Sequence, residues 1–193
     1  MSSTYTADWS DDDIDSVIAF CVALDIADPT TPIGVWMHES NCRTTAHNAN
    51  GDASGICQFM PATLHALGYD PTDTDLSKFR ALSPSDQISW AAKFYAPASG
   101  KLNTPAAVYL WTFLPAQIGL ASNPAAVVCG RDGPYAWAYN ANGSAFDLIA
   151  KGEILVSDMT REANASAATA RGLELMARIK SRADTQPEIT RPV

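Results

Sequence analysis

Positive charge is scarce in this 193-residue chain: Lys and Arg total 13 against 21 Asp and Glu, for a net charge of −8. A surface of that sign repels phosphate backbones and anionic headgroups, which counts against nucleic acid and membrane as partners. No apolar run approaches the ~20 residues that a bilayer-spanning helix needs. The stretch Met1–Asp13 is polar and acidic. It lacks the basic flank and apolar centre of a secretory leader, so no signal peptide is expected. Cysteine is also sparse, and Cys21, Cys42, Cys57 and Cys129 are too scattered for a disulfide framework. Without a leader, reduced and buried thiols are expected. Cys42 and Cys57 flank one loop, however, and a bridge between them stays open. Period-two alternation never lasts long enough to define a sheet, leaving room for no more than a small hairpin within Asn41–Met60. Internal repeats and low-complexity tracts are absent.

What is present is an ordinary globular composition, 47% hydrophobic, of a size for one domain. The expected fold class is all-α: a helical domain over 1–183, then a frayed tail over 184–193. Ser10 followed by Asp11, Asp12 and Asp13 puts a cap and negative charge at a helix start. Ile14, Val17, Ile18, Cys21, Val22 and Leu24 then mark one apolar face. Thr31-Pro32 opens a second helix through Ile33, Val35, Trp36 and Met37, ending near Glu39 and Ser40. The polar segment Asn41–Ser54, centred on Asn50-Gly51-Asp52, reads as a loop. Pro61–Leu67 is a short helix closed by Gly68, and Asp70–Ala81 reads as irregular. Ser83-Pro84 opens a helix through Tyr95, and Thr104-Pro105 opens one over Ala106–Leu114, apolar all round and so buried. A short aromatic helix starts at Pro134 and runs through Asn140, and one long helix extends from Ser157 to about Arg182.

The chemistry concentrates in Trp36-Met37-His38-Glu39-Ser40 and, after the polar loop, Gly55-Ile56-Cys57-Gln58-Phe59-Met60-Pro61-Ala62-Thr63. A carboxyl at the end of an apolar helix is placed to be half desolvated. That raises its pKa and keeps it protonated near neutrality, as a general acid requires. Ser40 and Gln58 are neutral hydrogen-bonding groups that can orient a carboxyl or a sugar. The plain alternative is an exposed glutamate beside a harmless loop.

The spacing Glu-Ser, then Ala46-x-Asn48, then Gly-Ile-x-Gln-Phe-Met-Pro-x-Thr resembles the lytic transglycosylases and phage muramidases of the lysozyme superfamily. Ala138-Tyr139-Asn140-Ala141 is similar to that family's Ala-Tyr-Asn-Ala motif, although Asn142 intervenes before Gly143. Tyr109-Leu110-Trp111-Thr112-Phe113-Leu114-Pro115-Ala116 resembles a helix common in phage muramidases. The resemblance covers roughly 30–160. It implies a lysozyme-like helical domain with a substrate cleft, acting on peptidoglycan glycan strands, with Glu39 as general acid and base. Ser40, Gln58, Tyr139 and Asn140 would contact substrate. Tyr109 either faces the cleft or is a core tyrosine. Phe59, Tyr95, Trp111 and Trp137 are further aromatics available for sugar stacking, but only Tyr139 is tied to the cleft by a motif. A transglycosylase needs no second carboxylate. An inverting hydrolase places one roughly 6.5–9.5 Å from the acid, for which Asp52 is the first candidate and Asp70 the second; Asp52 equally suits a turn. Hydrolysis and transglycosylation both stay open.

Two further readings compete. His38-Glu39 starts like a zinc-protease signature, but Cys42 stands where the second histidine would be, so no metal and no cofactor is expected. The 147–158 segment lacks alternating acidic ligands, so no calcium site is expected either. A non-catalytic wall-binding or structural virion or secretion component is the remaining alternative to an enzyme. With no leader and with phage-like motifs, the expected source is a monomeric phage lysin, host-cytoplasmic or virion-associated; an exported bacterial effector stays open.

Overall fold

A computed structural model gives the fold and describes residues 9–49 and 51–185. Helix α1 (Asp11–Ala23) starts where Ser10 and Asp13 cap one another: the Ser10 hydroxyl accepts from the Asp13 amide, and Asp13 accepts from the Ser10 amide at 2.7 Å. The other oxygen of Asp13 accepts from Ser85, which ties α1 to the start of α5 (Pro84–Tyr95). Helix α1 buries Ile14, Val17, Ile18 and Cys21 of the face read from its sequence, and α5 buries Ile88, Ala91 and Tyr95.

Helix α2 (Ile33–Ser40) is the centre of the domain, with Ile33, Val35 and Trp36 fully buried. It packs against α6 (Pro105–Phe113) and α8 (Val156–Ala167). Gly34 permits the approach to α8, since a Cβ there would lie 2.6 Å from the Ala163 carbonyl oxygen. Trp36 and Tyr95 meet the Phe20 ring edge-on at centroid distances of 5.2 and 5.7 Å, so aromatic packing joins α1, α2 and α5. Among the described residues no helix is long and apolar enough to cross a membrane.

The domain is mainly α with two small antiparallel strand pairs. β1 (His47–Asn48) and β2 (Ala53–Ser54) form a hairpin inside the polar loop, with His47 opposite Ser54. The second pair corrects the sequence reading, which found no strand there: β3 (Val127–Gly130) pairs with β4 (Glu153–Leu155) across an irregular register. Strands this short carry too few alternating positions to register as a period.

Three helices also differ from expectation. The stretch read as irregular contains α4 (Ser77–Arg80), because the Asp73 carboxylate accepts the Lys78 and Phe79 amides. Helix α7 (Ala136–Phe146) continues past Asn140, holding Phe146 in the core. The expected single final helix is two, α8 and α9 (Ala170–Thr185). Thr169 caps α9 by accepting the Gly172 amide, and the turn sends Arg171 onto the Asn41 and Cys42 carbonyls. Asp184 and Thr185 still belong to α9. The rest of the expected tail, and residues 1–8 of the segment read for a leader, lie outside the described residues.

Candidate active site

Helix α2 stops abruptly because Asn41 and Cys42 both adopt left-handed backbone, at φ 56° and 53°. Arg171 holds their carbonyls from α9, so the last turn of α2, with His38 and Glu39, is fixed in place. The Ser40 hydroxyl lies 2.8 Å from the Ile56 carbonyl oxygen, joining α2 to the segment that follows the hairpin. That segment is a tight turn in which Ser54 and Phe59 exchange backbone hydrogen bonds at 2.9 Å. Two constraints require glycine at position 55: φ is +76°, and a Cβ would stand 2.5 Å from the Gln87 amide oxygen. The same Gln87 oxygen accepts the Ile56 amide. Gln58, itself at φ 50°, is thereby turned outward from the loop.

These elements bound a groove of about 490 Å³. His38 and Glu39 come from α2, Gln58 from the turn, Tyr109 from α6, and Asn142 and Phe146 from α7. Phe59, Phe94 and Phe113 add apolar surface, while Asn48, Thr63 and Thr112 add neutral polar groups. Glu39 is the one carboxylate among the described residues that line it.

Glu39 is half-buried, and desolvation pushes its carboxyl from an ordinary 4.5 up to about 7. The Tyr109 hydroxyl pulls the other way by favouring the ionised form. That phenol is 1% exposed and has no partner of good hydrogen-bond geometry among the described residues. It therefore acts on Glu39 as a nearby dipole rather than as a formed hydrogen bond. Burial likewise lowers the His38 pKa, partly offset by the Glu162 carboxylate. The His38 ring stacks on Phe146, meets Tyr109 edge-on, and has Nδ1 3.4 Å from the Ser166 hydroxyl.

The groove brings together Glu39, Gln58 and Tyr109 of the residues singled out from sequence. Ser40 is buried with its hydroxyl committed to main chain, and does not line the groove. Tyr139 is buried, does not line the groove and donates to Asp147 at 2.8 Å. Asn140 is exposed and outside the groove, and Asn142 stands there instead. Asp52, with its side chain 68% exposed, occupies the hairpin turn at φ 58°, stands 3.9 Å from His47 and does not line the groove. Asp70 is a surface residue bound to Thr72 and Lys78, which together hold its carboxyl down at about 2. Of the other aromatics, Phe59 lines the groove, Tyr95 is buried in the core, Trp111 donates to the Phe94 carbonyl and Trp137 is 61% exposed. His38, Asn142 and Phe146 were missed as groove residues. Helical spacing carried a signal for the last two, since 142, 145 and 146 share one face of α7.

All four cysteines are free and buried, with no Cys42–Cys57 bridge. Among the described residues no group of three or more His, Cys, Asp or Glu side chains could hold a metal ion. Asp147 accepts the Lys151 and Gly152 amides, and Asp158 pairs with Lys151 and Arg161. No family model, no curated protein and no solved structure matches the chain.

Proposed function

We propose that this protein is a lysozyme-like enzyme that cleaves the β-1,4 bond between N-acetylmuramic acid and N-acetylglucosamine in peptidoglycan. The observation that carries the reading is the state of Glu39: a half-buried carboxyl, raised to about 7, in a groove that offers no second carboxylate among its described residues. Such a group holds a proton near neutrality and can hand it to a bridging oxygen. The resemblance of the Glu-Ser and Gly-Ile-Cys-Gln-Phe-Met-Pro segments to muramidases and lytic transglycosylases supports the choice of bond.

One carboxylate suffices if the substrate assists. Glu39 protonates the leaving oxygen as the C1–O bond breaks. The substrate's own acetamido oxygen bonds to C1 and carries the positive charge that develops there. The Glu39 carboxylate then takes the proton of the C6 hydroxyl as that oxygen bonds to C1 and displaces the acetamido group. A 1,6-anhydro ring results, and Glu39 regains its proton. Gln58, with its amide nitrogen bound to the Gly55 carbonyl at 3.0 Å, presents its oxygen as an acceptor for a sugar hydroxyl or amide.

The test is digestion of purified cell wall by the parent protein and by Glu39→Gln, with mass spectrometry of the released fragments. The reading requires cleaved muramyl fragments from the parent and a loss of them in the variant, and anhydro ends mark the intramolecular step. Reducing ends would keep the acid and replace the intramolecular step by hydrolysis. Equal digestion by both proteins would remove the reading altogether.

A further inference from the structure

The walls of the groove carry no basic side chain among the described residues. Two arginines approach from behind, and both are engaged elsewhere. Arg80 donates to the Ser54 hydroxyl at 2.9 Å and to the Asp75 carbonyl. Arg161 donates to the Phe146 carbonyl and pairs with Asp158 and Glu162. Lys151, the cation of the α7–β4 connection, is paired with Asp158. The two titratable groups that do line the walls, besides the buried Tyr109 phenol and Cys57 thiol, are Glu39 and His38. Around His38 stand Glu162 and Ser166 of α8, Tyr109 of α6 and Phe146 of α7, so no cation faces it among the described residues. A ligand carboxylate entering this groove would lose hydration and gain no counter-charge. Its neutral counterpart would lose far less. The chain's net charge of −8 disfavours the anion further.

Resting on the glycan-cleaving reading, we propose that the groove selects glycan units whose lactyl arm is neutral. It takes N-acetylmuramyl residues with that carboxyl in amide linkage, as where a stem peptide is attached, or N-acetylglucosamine in the same place. It discriminates against strands whose lactyl carboxylate is free. In a sequence of wall-degrading reactions this protein then acts before the amide-hydrolysing class that strips stem peptides from the glycan, because that reaction converts its preferred ligand into a poor one.

The experiment uses the Glu39→Gln protein at pH 6, where position 39 is neutral and turnover does not interfere, with binding read by titration calorimetry. Three tetrasaccharides are compared: alternating N-acetylglucosamine and N-acetylmuramic acid with free lactyl groups, the same chain with lactyl primary amides, and the chitin tetramer. Amide and acid have nearly the same shape, so their difference isolates charge. Both neutral chains are expected to bind at least tenfold more tightly than the free acid. A free acid that binds within tenfold of its amide, or more tightly, overturns the inference. Failure of all three to bind overturns it together with the assignment of the groove to glycan. The outcomes separate from those of the catalytic test: if Glu39→Gln is inactive but the ranking fails, selectivity alone falls. If the variant digests wall at the parent's rate, the catalytic reading falls while the ranking is judged on binding.

Discussion

Glu39 and Asp158 are both acids on the buried side of a helix end, yet their pKa values move in opposite directions. Asp158, 5% exposed at the start of α8, is also pushed upward by desolvation. There, Lys151, the Leu155 amide and Arg161 together outweigh that push and hold the carboxylate below its ordinary range. Asp73, 2% exposed, repeats the pattern with the Lys78 and Phe79 amides and the Tyr69 hydroxyl. Among the described residues Glu39 has only the Tyr109 hydroxyl working against desolvation, and its carboxyl stays near 7. Desolvation alone therefore does not make an acid catalyst. What distinguishes the groove is that the fold withholds the donors it supplies elsewhere.

The sharpest way to break this contrast is to remove the proton from the unpartnered acid. Glu39→Gln keeps shape and neutrality but cannot titrate, and should lower the rate of wall digestion by about a thousandfold, within the usual range for a general acid. Its far-ultraviolet circular dichroism should match the parent's. A variant retaining a tenth of parental activity would show that the desolvated carboxyl is incidental.

The converse change strikes the well-partnered acid. Asp158→Ala strips Lys151 and Arg161 of their carboxylate and leaves the Leu155 amide without its acceptor. Because breaking a buried pair strands the surviving charges, the cost should be about 3 kcal/mol in urea unfolding. A loss below about 1 kcal/mol would mean that the cluster is solvated and that the contrast with Glu39 is weaker than drawn.

How much of this was legible in the sequence follows from how local each signal was. The capped start of α1, the Ser83-Pro84 start of α5 and the buried run of α6 depend on neighbouring residues, and the structure shows them where the pattern put them. The position of Glu39 at the end of α2 was equally local. Tyr139 was not: it lies two turns before Phe146 on the same side of α7, and its exclusion from the groove follows from the contacts of α7 with β3 and β4 and from the Asp147 carboxylate that takes its hydroxyl. The break between α8 and α9 was hidden in an Ala-rich stretch of good helix formers. It is marked by the Thr169 cap and by Arg171 reaching the end of α2 across the domain. The second strand pair and the engagement of Asp158 by Lys151 likewise depend on tertiary placement of short loops.

A smaller effect sharpens the comparison through stability. The folded protein retains the Glu39 proton up to about pH 7, whereas an unfolded chain releases it near 4.5. Between those values the folded state binds more protons, so this group lowers stability as pH rises through the window. The displacement caps the effect near 3 kcal/mol, and the solvent side of the groove reduces it to about 2 kcal/mol. Glu39→Gln should therefore be more stable than the parent at pH 8 by about that amount and equal to it at pH 4, as read from urea midpoints at both values. Asp158 should behave in the opposite sense, contributing stability at neutral pH that is lost as acid protonates it.

The smallest expected effect concerns the one group that opposes desolvation at Glu39. Tyr109→Phe deletes a hydroxyl that favours the ionised carboxyl, so the Glu39 pKa should rise further. For a general acid, the alkaline limb of the pH–rate profile should then move to higher pH, while the rate on the acidic plateau falls less than tenfold. The variant should fold at least as stably as the parent, because the phenol is buried without a formed hydrogen bond, and such a group costs about 1 kcal/mol. These readouts separate the dipole's influence on the carboxyl from a packing role for the ring, which the phenylalanine retains. An alkaline limb that stays in place, or moves to lower pH, would mean that the hydroxyl does not act on Glu39. The contrast with Asp158 would then rest on the donors around Asp158 alone.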